Sequence, residues 1–164
     1  MRDEKRAISA TTDGQPARPG FENASAPAPV NPRTGQHEAY WVLSPEERAK
    51  GFVRPVRRSY RHVGQRVCGK PKADAAAPSS VCVDVPGHDG ECAIWRGATD
   101  AEFERHGQTG HLGGCDTVTT MGQAIAETYA RDPRFYSGTF CVSCREHFPL
   151  DQFVWAGTNE RVGS

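Results

Sequence analysis

Apolar side chains occur in short bursts along this 164-residue chain, and each burst predicts a short element. Ala39-Tyr40-Trp41-Val42-Leu43 is the longest apolar run with large side chains. Behind it, Ser44-Pro45-Glu46-Glu47 has the form of a capping box with proline at the first helical position, which predicts a short helix ending at Gly51. Phe52 to Val63 mixes β-branched and aromatic residues with arginines and contains Pro55. It reads as extended chain or an edge strand. Thr99-Asp100-Ala101-Glu102 predicts a second short helix, through Arg105 and stopping at Gly107. Thr120 and Gln123 frame a third capping box, and Met121, Ala124, Ile125, Thr128 and Tyr129 recur at helical spacing until Asp132-Pro133 ends the helix. Thr139-Phe140-Cys141 predicts a strand entering a turn, and Phe153 to Val162 predicts a closing hairpin around Ala156-Gly157-Thr158-Asn159.

Residues 1–36 lack such a pattern. Gly14, Pro16, Pro19, Gly20, Pro27, Pro29, Pro32 and Gly35 punctuate a polar stretch whose only aromatic is Phe21, which predicts a flexible or polyproline-like arm, free or ordered against a partner. Ala73 to Ser80 reads as a solvated loop. Gly107 to Gly114 reads as a glycine-rich connector without the lysine of a P-loop or a dinucleotide fingerprint.

Composition turns this pattern into a problem of stability. Hydrophobic residues make up 37%, against 17 glycines and 12 prolines, so an apolar core alone is marginal and a covalent or metal staple is expected. No run approaches the roughly 18 apolar residues of a membrane span. Arg2, Asp3, Glu4, Lys5 and Arg6 open the chain without an apolar segment behind them, so no secretory signal and a cytoplasmic location are expected.

The six cysteines are the candidate staple. Three disulfides would need an oxidising compartment; in a reducing one, clustered Cys and His read as zinc ligands. Cys141-Val142-Ser143-Cys144 is the strongest element, because a two-residue gap turns both thiolates onto one ion. A thioredoxin-like pair would place a helix after the motif, whereas here the helix precedes it. Cys115 is the leading third ligand. His62, His111 and His147 compete for the fourth place, with His62 preferred because it ends a predicted strand that can lie beside the knuckle. A second set, Cys68, Cys82, His88 and Cys92, has turn residues flanking its histidine. Two Cys3His sets use every cysteine, so two zinc ions are expected. The expected fold is α+β: a small, zinc-stapled, zinc-ribbon-like module with short helices and an extended N-terminal arm.

Twenty basic and twenty acidic residues balance overall but are segregated. Arg54, Arg57, Arg58, Arg61, Arg66, Lys70 and Lys72 lie in a stretch, 51–73, that contains no acid, while Asp74, Asp84, Asp89, Glu91, Asp100, Glu102 and Glu104 follow with Arg96 alone against them. The basic strip, with Arg54, Arg57, Arg58, Arg61, Arg66 and Lys70 as contacts, suits an acidic protein surface, the chain's own acidic stretch, or phosphates. The zero balance weakens long-range attraction to a polyanion, so protein docking or self-neutralisation ranks above nucleic acid. Catalysis is not expected. Three-Cys zinc sites are usually closed, His37-Glu38 lacks the deaminase spacing, Glu146-His147 offers too few histidines for a His-Asn-His nuclease, and no Gly-x-Ser-x-Gly elbow occurs.

Gly87-His88-Asp89-Gly90-Glu91-Cys92, behind Cys68-Gly69 and Val81-Cys82, resembles the short Cys…Cys…Gly-His-x-Gly-x-(His/Cys) zinc motif of small bacteriophage proteins. Residues 39–164 also resemble a group of uncharacterised phage and prophage proteins, through Leu43 to His62, Thr117 to Pro133 and Phe140-Cys141-x-x-Cys144-x-x-His147-x-Pro149. The resemblance implies a phage origin and makes residues 66–95 an inserted second zinc unit within a zinc-binding domain of residues 37–164. The resulting expectation is a non-enzymatic phage protein acting through protein–protein contacts in the host cytoplasm or the virion, as a head-decoration or accessory component. The alternatives are a nucleic-acid-binding accessory protein using residues 54–72 and the knuckle, and, more weakly, a zinc-dependent nuclease or hydrolase.

Overall fold

Strands of three or four residues are not stable alone, so the bursts of the sequence must find partners far along the chain. The computed structural model describes residues 9–12, 30–66, 99–101, 104 and 111–164. Its strands are β1 (Ser9–Thr11), β2 (Trp41–Leu43), β3 (Ser59–His62), β4 (Gly64–Arg66), β5 (His111–Gly113), β6 (Val118–Thr120), β7 (Gly138–Cys141), β8 (Glu146–Pro149) and β9 (Phe153–Trp155). The helices α1 (Pro45–Arg48) and α2 (Gln123–Arg131) and a 3-10 turn (Leu150–Gln152) accompany them. Every strand pairing is antiparallel: β6-β3-β9 form a three-stranded sheet, and β1-β2, β4-β5 and β7-β8 form two-stranded ones. Short helices with antiparallel sheets make the class α+β. Among the described residues, no helix is long and apolar enough to cross a membrane.

The core lies where α2 covers the three-stranded sheet. Tyr60, Met121, Ala126, Tyr129, Cys141, Phe153, Trp155 and Val162 form one buried cluster. Tyr60 packs edge-on against Phe153, with ring centroids 5.4 Å apart, and its hydroxyl donates to the Phe140 carbonyl at 2.5 Å. That bond ties the sheet to β7 and satisfies the one polar atom that Tyr60 carries into the core.

Three local expectations are revised. The segment 52–63 is a strand only from Ser59 to His62, and that strand is central rather than an edge, with β6 on one side and β9 on the other. Before it, the Val53 and Arg54 amides both donate to the Ala130 carbonyl, at 2.8 and 3.0 Å, so this stretch is pinned to the end of α2 instead of pairing. The third capping box does not form: the N-cap of α2 is Gly122, without a side-chain bond, because Thr120 is engaged in β6 opposite Ser59, its hydroxyl 3.1 Å from Ser59 Oγ. Parts of the expected arm also fold back. Ser9–Thr11 pairs with β2, and Val30 bridges to His37 around a turn closed by Asn31 and Gln36.

Other local readings hold. Ser44 caps α1, its hydroxyl accepting from the Glu47 amide at 3.2 Å, and Gly51 ends the turn at φ +105°. Val154 bridges to Arg161 in the closing hairpin. Asp100, Ala101 and Glu104 are helical, while the rest of that predicted helix falls outside the described residues.

Among the described residues, strand β2 pairs with β1 alone, and side chains bond to its other edge. The Leu43 amide donates to Thr128 Oγ1 at 3.0 Å, the Thr128 hydroxyl donates to the Ala124 carbonyl at 2.8 Å, and Tyr136 donates to the Trp41 carbonyl at 2.6 Å. Thr128 is fully buried. Thr128→Val keeps the shape but leaves the Leu43 amide without an acceptor, and is expected to lower stability by about 1–3 kcal/mol in denaturant unfolding. A loss below a few tenths would mean that β2 does not depend on this bond.

Candidate metal centre

The inner face of β3 alternates Tyr60 and His62, both buried, so the histidine sits at the end of a central strand with its ring turned into the protein. The chain then passes within backbone contact of the loop that carries Cys115. A Cβ added to Gly114 would lie 2.2 Å from the Val63 carbonyl carbon, and one added to Gly64, at φ +93°, would lie 2.1 Å from the Leu112 oxygen. Asp116 stands in the left-handed region at φ 58°, with its amide donating to the His62 carbonyl at 2.9 Å. These contacts fix Cys115 beside His62.

Strand β7 delivers Cys141, fully buried, from the other side. Its carbonyl accepts from the Arg145 amide at 2.8 Å, closing the turn that brings Cys144 back, and Arg145 takes φ 58° so that β8 can return alongside β7. The Val142 amide donates to Thr119 Oγ1 at 3.1 Å, anchoring the turn to β6. A loop of the N-terminal segment presses on the same turn: Gly35, at φ +75°, leaves room for the Arg145 carbonyl only because it has no Cβ, which would lie 2.1 Å from that oxygen.

The result is a group of His62, Cys115, Cys141 and Cys144 whose donor atoms all lie within 4.8 Å of one another and that can hold a metal ion. Cys115 Sγ is 3.4 Å from Cys141 Sγ, and Cys144 Sγ is 3.5 Å from His62 Nδ1. Zinc–sulfur bonds of about 2.3 Å and zinc–nitrogen bonds of about 2.0–2.1 Å give a tetrahedron with edges of roughly 3.5–3.8 Å, close to these separations.

The histidine is oriented from behind. Nε2 is 3.0 Å from Gln152 Oε1, an oxygen that only accepts, so the proton resides on Nε2 and the Nδ1 lone pair faces the thiols. Phe148 stacks on the ring at 4.5 Å and Phe153 lies at 4.9 Å, holding its plane. Gln152→Leu removes the acceptor and is expected to weaken metal affinity by about 10–100-fold, measured by competition with a chromophoric chelator, whereas Gln152→Glu keeps an acceptor and retains most of it. Equal affinity in all three proteins would show that the bond does not orient the ligand.

The thiols are electrostatically opposed. Burial acts to raise the Cys115 pKa, but the Thr117 amide and hydroxyl, then Cys141 and His62, outweigh it and bring the thiol down to about 6. Burial, followed by the hydrogen bonds and charges of Cys141 and Cys115, pushes Cys144 up to about 12. One thiol thus ionises readily at the expense of another, because thiolates this close repel. A divalent cation among them removes that conflict.

The other predicted ligands lie elsewhere or outside the described residues. His111 is on β5 and does not join the group. His147 on β8 turns toward the N-terminal segment, with Nε2 3.0 Å from the Tyr40 hydroxyl and its ring 5.1 Å from His37; burial, and then His37, lower its pKa. Cys68, Cys82, His88, Cys92 and Lys70 fall outside the described residues, and Arg66 is described only through its place in β4. In the basic strip, Arg57 pairs with Glu160, Arg61 lies 3.6 Å from Asp116, Arg54 donates to the Ser164 carbonyl at 3.1 Å, and Arg58 donates to that of Met121 at 3.2 Å. Neither Glu160 nor Asp116 belongs to the acidic run expected to face the strip.

Gln152, Phe148, Thr117 and Gly35 were not singled out from sequence. Gln152, Phe148 and Gly35 act through partners distant in the chain and leave no mark in local spacing, whereas Thr117 stands two residues after Cys115, a hydroxyl close to a thiol that the sequence does show. No family model matches this chain, and neither a curated protein nor a solved structure does so.

Proposed function

We propose that this protein is a zinc-stapled, non-enzymatic module of zinc-ribbon type, built on the β7–β8 knuckle, that works by contact with another protein in a bacteriophage virion. The observation that carries this reading is the donor set: three thiols and an imidazole within 4.8 Å of one another. Soft sulfur with one imidazole selects zinc among common divalent ions, and four protein ligands leave no coordination position for a water nucleophile. A site so filled supports the fold rather than a reaction. The phage assignment rests on the resemblance carried by Leu43 to His62, Thr117 to Pro133 and Phe140 to Pro149. Contact with protein is favoured over contact with nucleic acid because Arg57 and Arg61 already meet Glu160 and Asp116.

Elemental analysis of protein purified without added metal tests the staple. One zinc per chain is expected from this group, and a second if Cys68, Cys82, His88 and Cys92 bind as a set. No metal, with blocked thiols, would return the disulfide reading. Fractionation of phage particles tests the contact reading: the protein is expected to copurify with virions. Its absence from virions, together with DNA or RNA binding that falls steeply with salt, would overturn that reading in favour of the nucleic-acid one.

A further inference from the structure

We infer that the segment 52–58, with the cavity beside it, docks an acidic segment of the partner protein that carries an apolar anchor side chain. This inference rests on the protein-contact reading above and names the chemistry of the partner.

The segment combines two features, exposed apolar side chains and arginines. Phe52, Val53 and Val56 are 47%, 57% and 37% exposed, and they account for half of the exposed large apolar side chains among the described residues. Arg54, Arg57 and Arg58 interleave with them, in a stretch of sequence that contains no acid. The backbone here is already fixed by the paired Val53 and Arg54 bonds to the Ala130 carbonyl, so binding need not order it and the entropic cost of docking is reduced.

Beside the segment opens a cavity of about 460 Å³, lined among others by Arg54, Pro55, Arg57, Tyr129, Trp155 and Glu160. That volume lies within the usual range of ligand pockets and is ample for one apolar side chain. Pro55, Pro133, Tyr129 and Trp155 supply the apolar part of a mixed lining, and Arg54 and Arg57 stand against Glu160 in its polar part. The complement is a peptide whose carboxylates meet the guanidinium N–H groups of Arg54 and Arg58 that are not already donated to the Ser164, Val53 and Met121 carbonyls, while an aliphatic or aromatic residue enters the cavity. A polyphosphate fits less well, because it has no apolar group to enter the cavity and would leave Phe52, Val53 and Val56 uncovered.

The test uses the intact, metal-loaded protein and short synthetic peptides in which acidic content and one central residue are varied independently, with binding read by fluorescence anisotropy. Binding is expected to need both features: exchanging the central Leu or Phe for Ser, or the acids for their amides, weakens it about tenfold or more, which corresponds to about 1.4 kcal/mol. Arg54→Glu and Val53→Ser, both at exposed positions, should each weaken it similarly while zinc content and thermal unfolding stay as in the wild type. Absence of binding, or binding indifferent to both variants, overturns the assignment. So does tighter competition by a mixed-sequence oligonucleotide, which would make the strip a nucleic-acid surface. So, too, does a rise in peptide affinity when Asp84, Asp89 and Glu91 are neutralised, which would identify the chain's own acidic stretch as the occupant. Zinc content and virion association, read on the same preparations, separate failure of this surface from failure of the function proposed above: intact virion association without peptide binding removes only the surface.

Discussion

Removing the metal is expected to unfold the protein around Cys141 rather than merely loosen it. The four donors belong to separate parts of the fold: His62 ends β3 of the three-stranded sheet, Cys115 lies between β5 and β6, and Cys141 and Cys144 belong to the β7–β8 hairpin. One ion in this group would therefore join the three-stranded sheet, the β5–β6 connection and the β7–β8 hairpin at a single point, beside the buried cluster they share. The apparent binding energy of a structural zinc is about 10–16 kcal/mol at neutral pH, as large as the roughly 5–15 kcal/mol that separates a typical folded domain from its unfolded state. Chelation should abolish the cooperative thermal transition seen by circular dichroism, and added zinc should restore it. Cys141→Ser should behave as the chelated protein does and fail to recover with zinc, because a buried hydroxyl is a poor substitute for a thiolate. A chelated protein whose unfolding free energy stays within about 1 kcal/mol of the untreated one would remove the staple from the account.

Gly114→Ala is the second large effect. The added methyl would stand 2.2 Å from the Val63 carbonyl carbon and 2.5 Å from both the Gly64 nitrogen and the His62 oxygen. All three are backbone atoms, which cannot swing aside as a flexible side chain does, so the loop must move. Overpacking of this kind costs about 1–3 kcal/mol and occasionally more, and with rigid neighbours the upper end is expected. Because Cys115 is the next residue, the movement also displaces a ligand, so zinc affinity should fall about tenfold or more along with stability. Gly122→Ala provides the contrast. Nothing lies within 4 Å of its added methyl, and the change at the N-cap of α2 should cost less than about 1 kcal/mol with unchanged metal affinity. Similar losses in the two variants would show that crowding at Gly114 is not what positions Cys115.

The parts of the site legible in the sequence are those encoded by local spacing. The gap between Cys141 and Cys144 specifies a turn, and Ser44-Pro45-Glu46-Glu47 specifies a capped helical turn, because each interaction closes within a few residues. The choice of His62 over His111 and His147 depended on a strand end facing the knuckle, and the geometry groups His62 with the three thiols. What could not be read depended on partners far along the chain. Arginines and a proline make residues 52–63 look like an edge, yet β6 and β9 flank Ser59 to His62, and both partners lie far along the chain. Thr120 looked like a cap because the sequence does not reveal that Ser59 stands opposite it. Gln152 had no local mark at all; its role exists only because the 3-10 turn lies behind the imidazole.

The central position of β3 has a consequence during synthesis. Tyr60 is made well before one of its flanking strands, β9, which follows it far along the chain. Until Phe153, Val154 and Trp155 emerge from the ribosome, β3 has one open edge and His62 lacks both Gln152 and the Phe153 ring. His62 therefore waits through the synthesis of about fifty further residues before Cys115 is made, and longer still before Cys141 and Cys144 appear. The four-donor group, with Gln152 and Phe153 behind its imidazole, is thus complete only once β9 has been made, and zinc loading is expected to slow when cellular zinc is scarce at that stage.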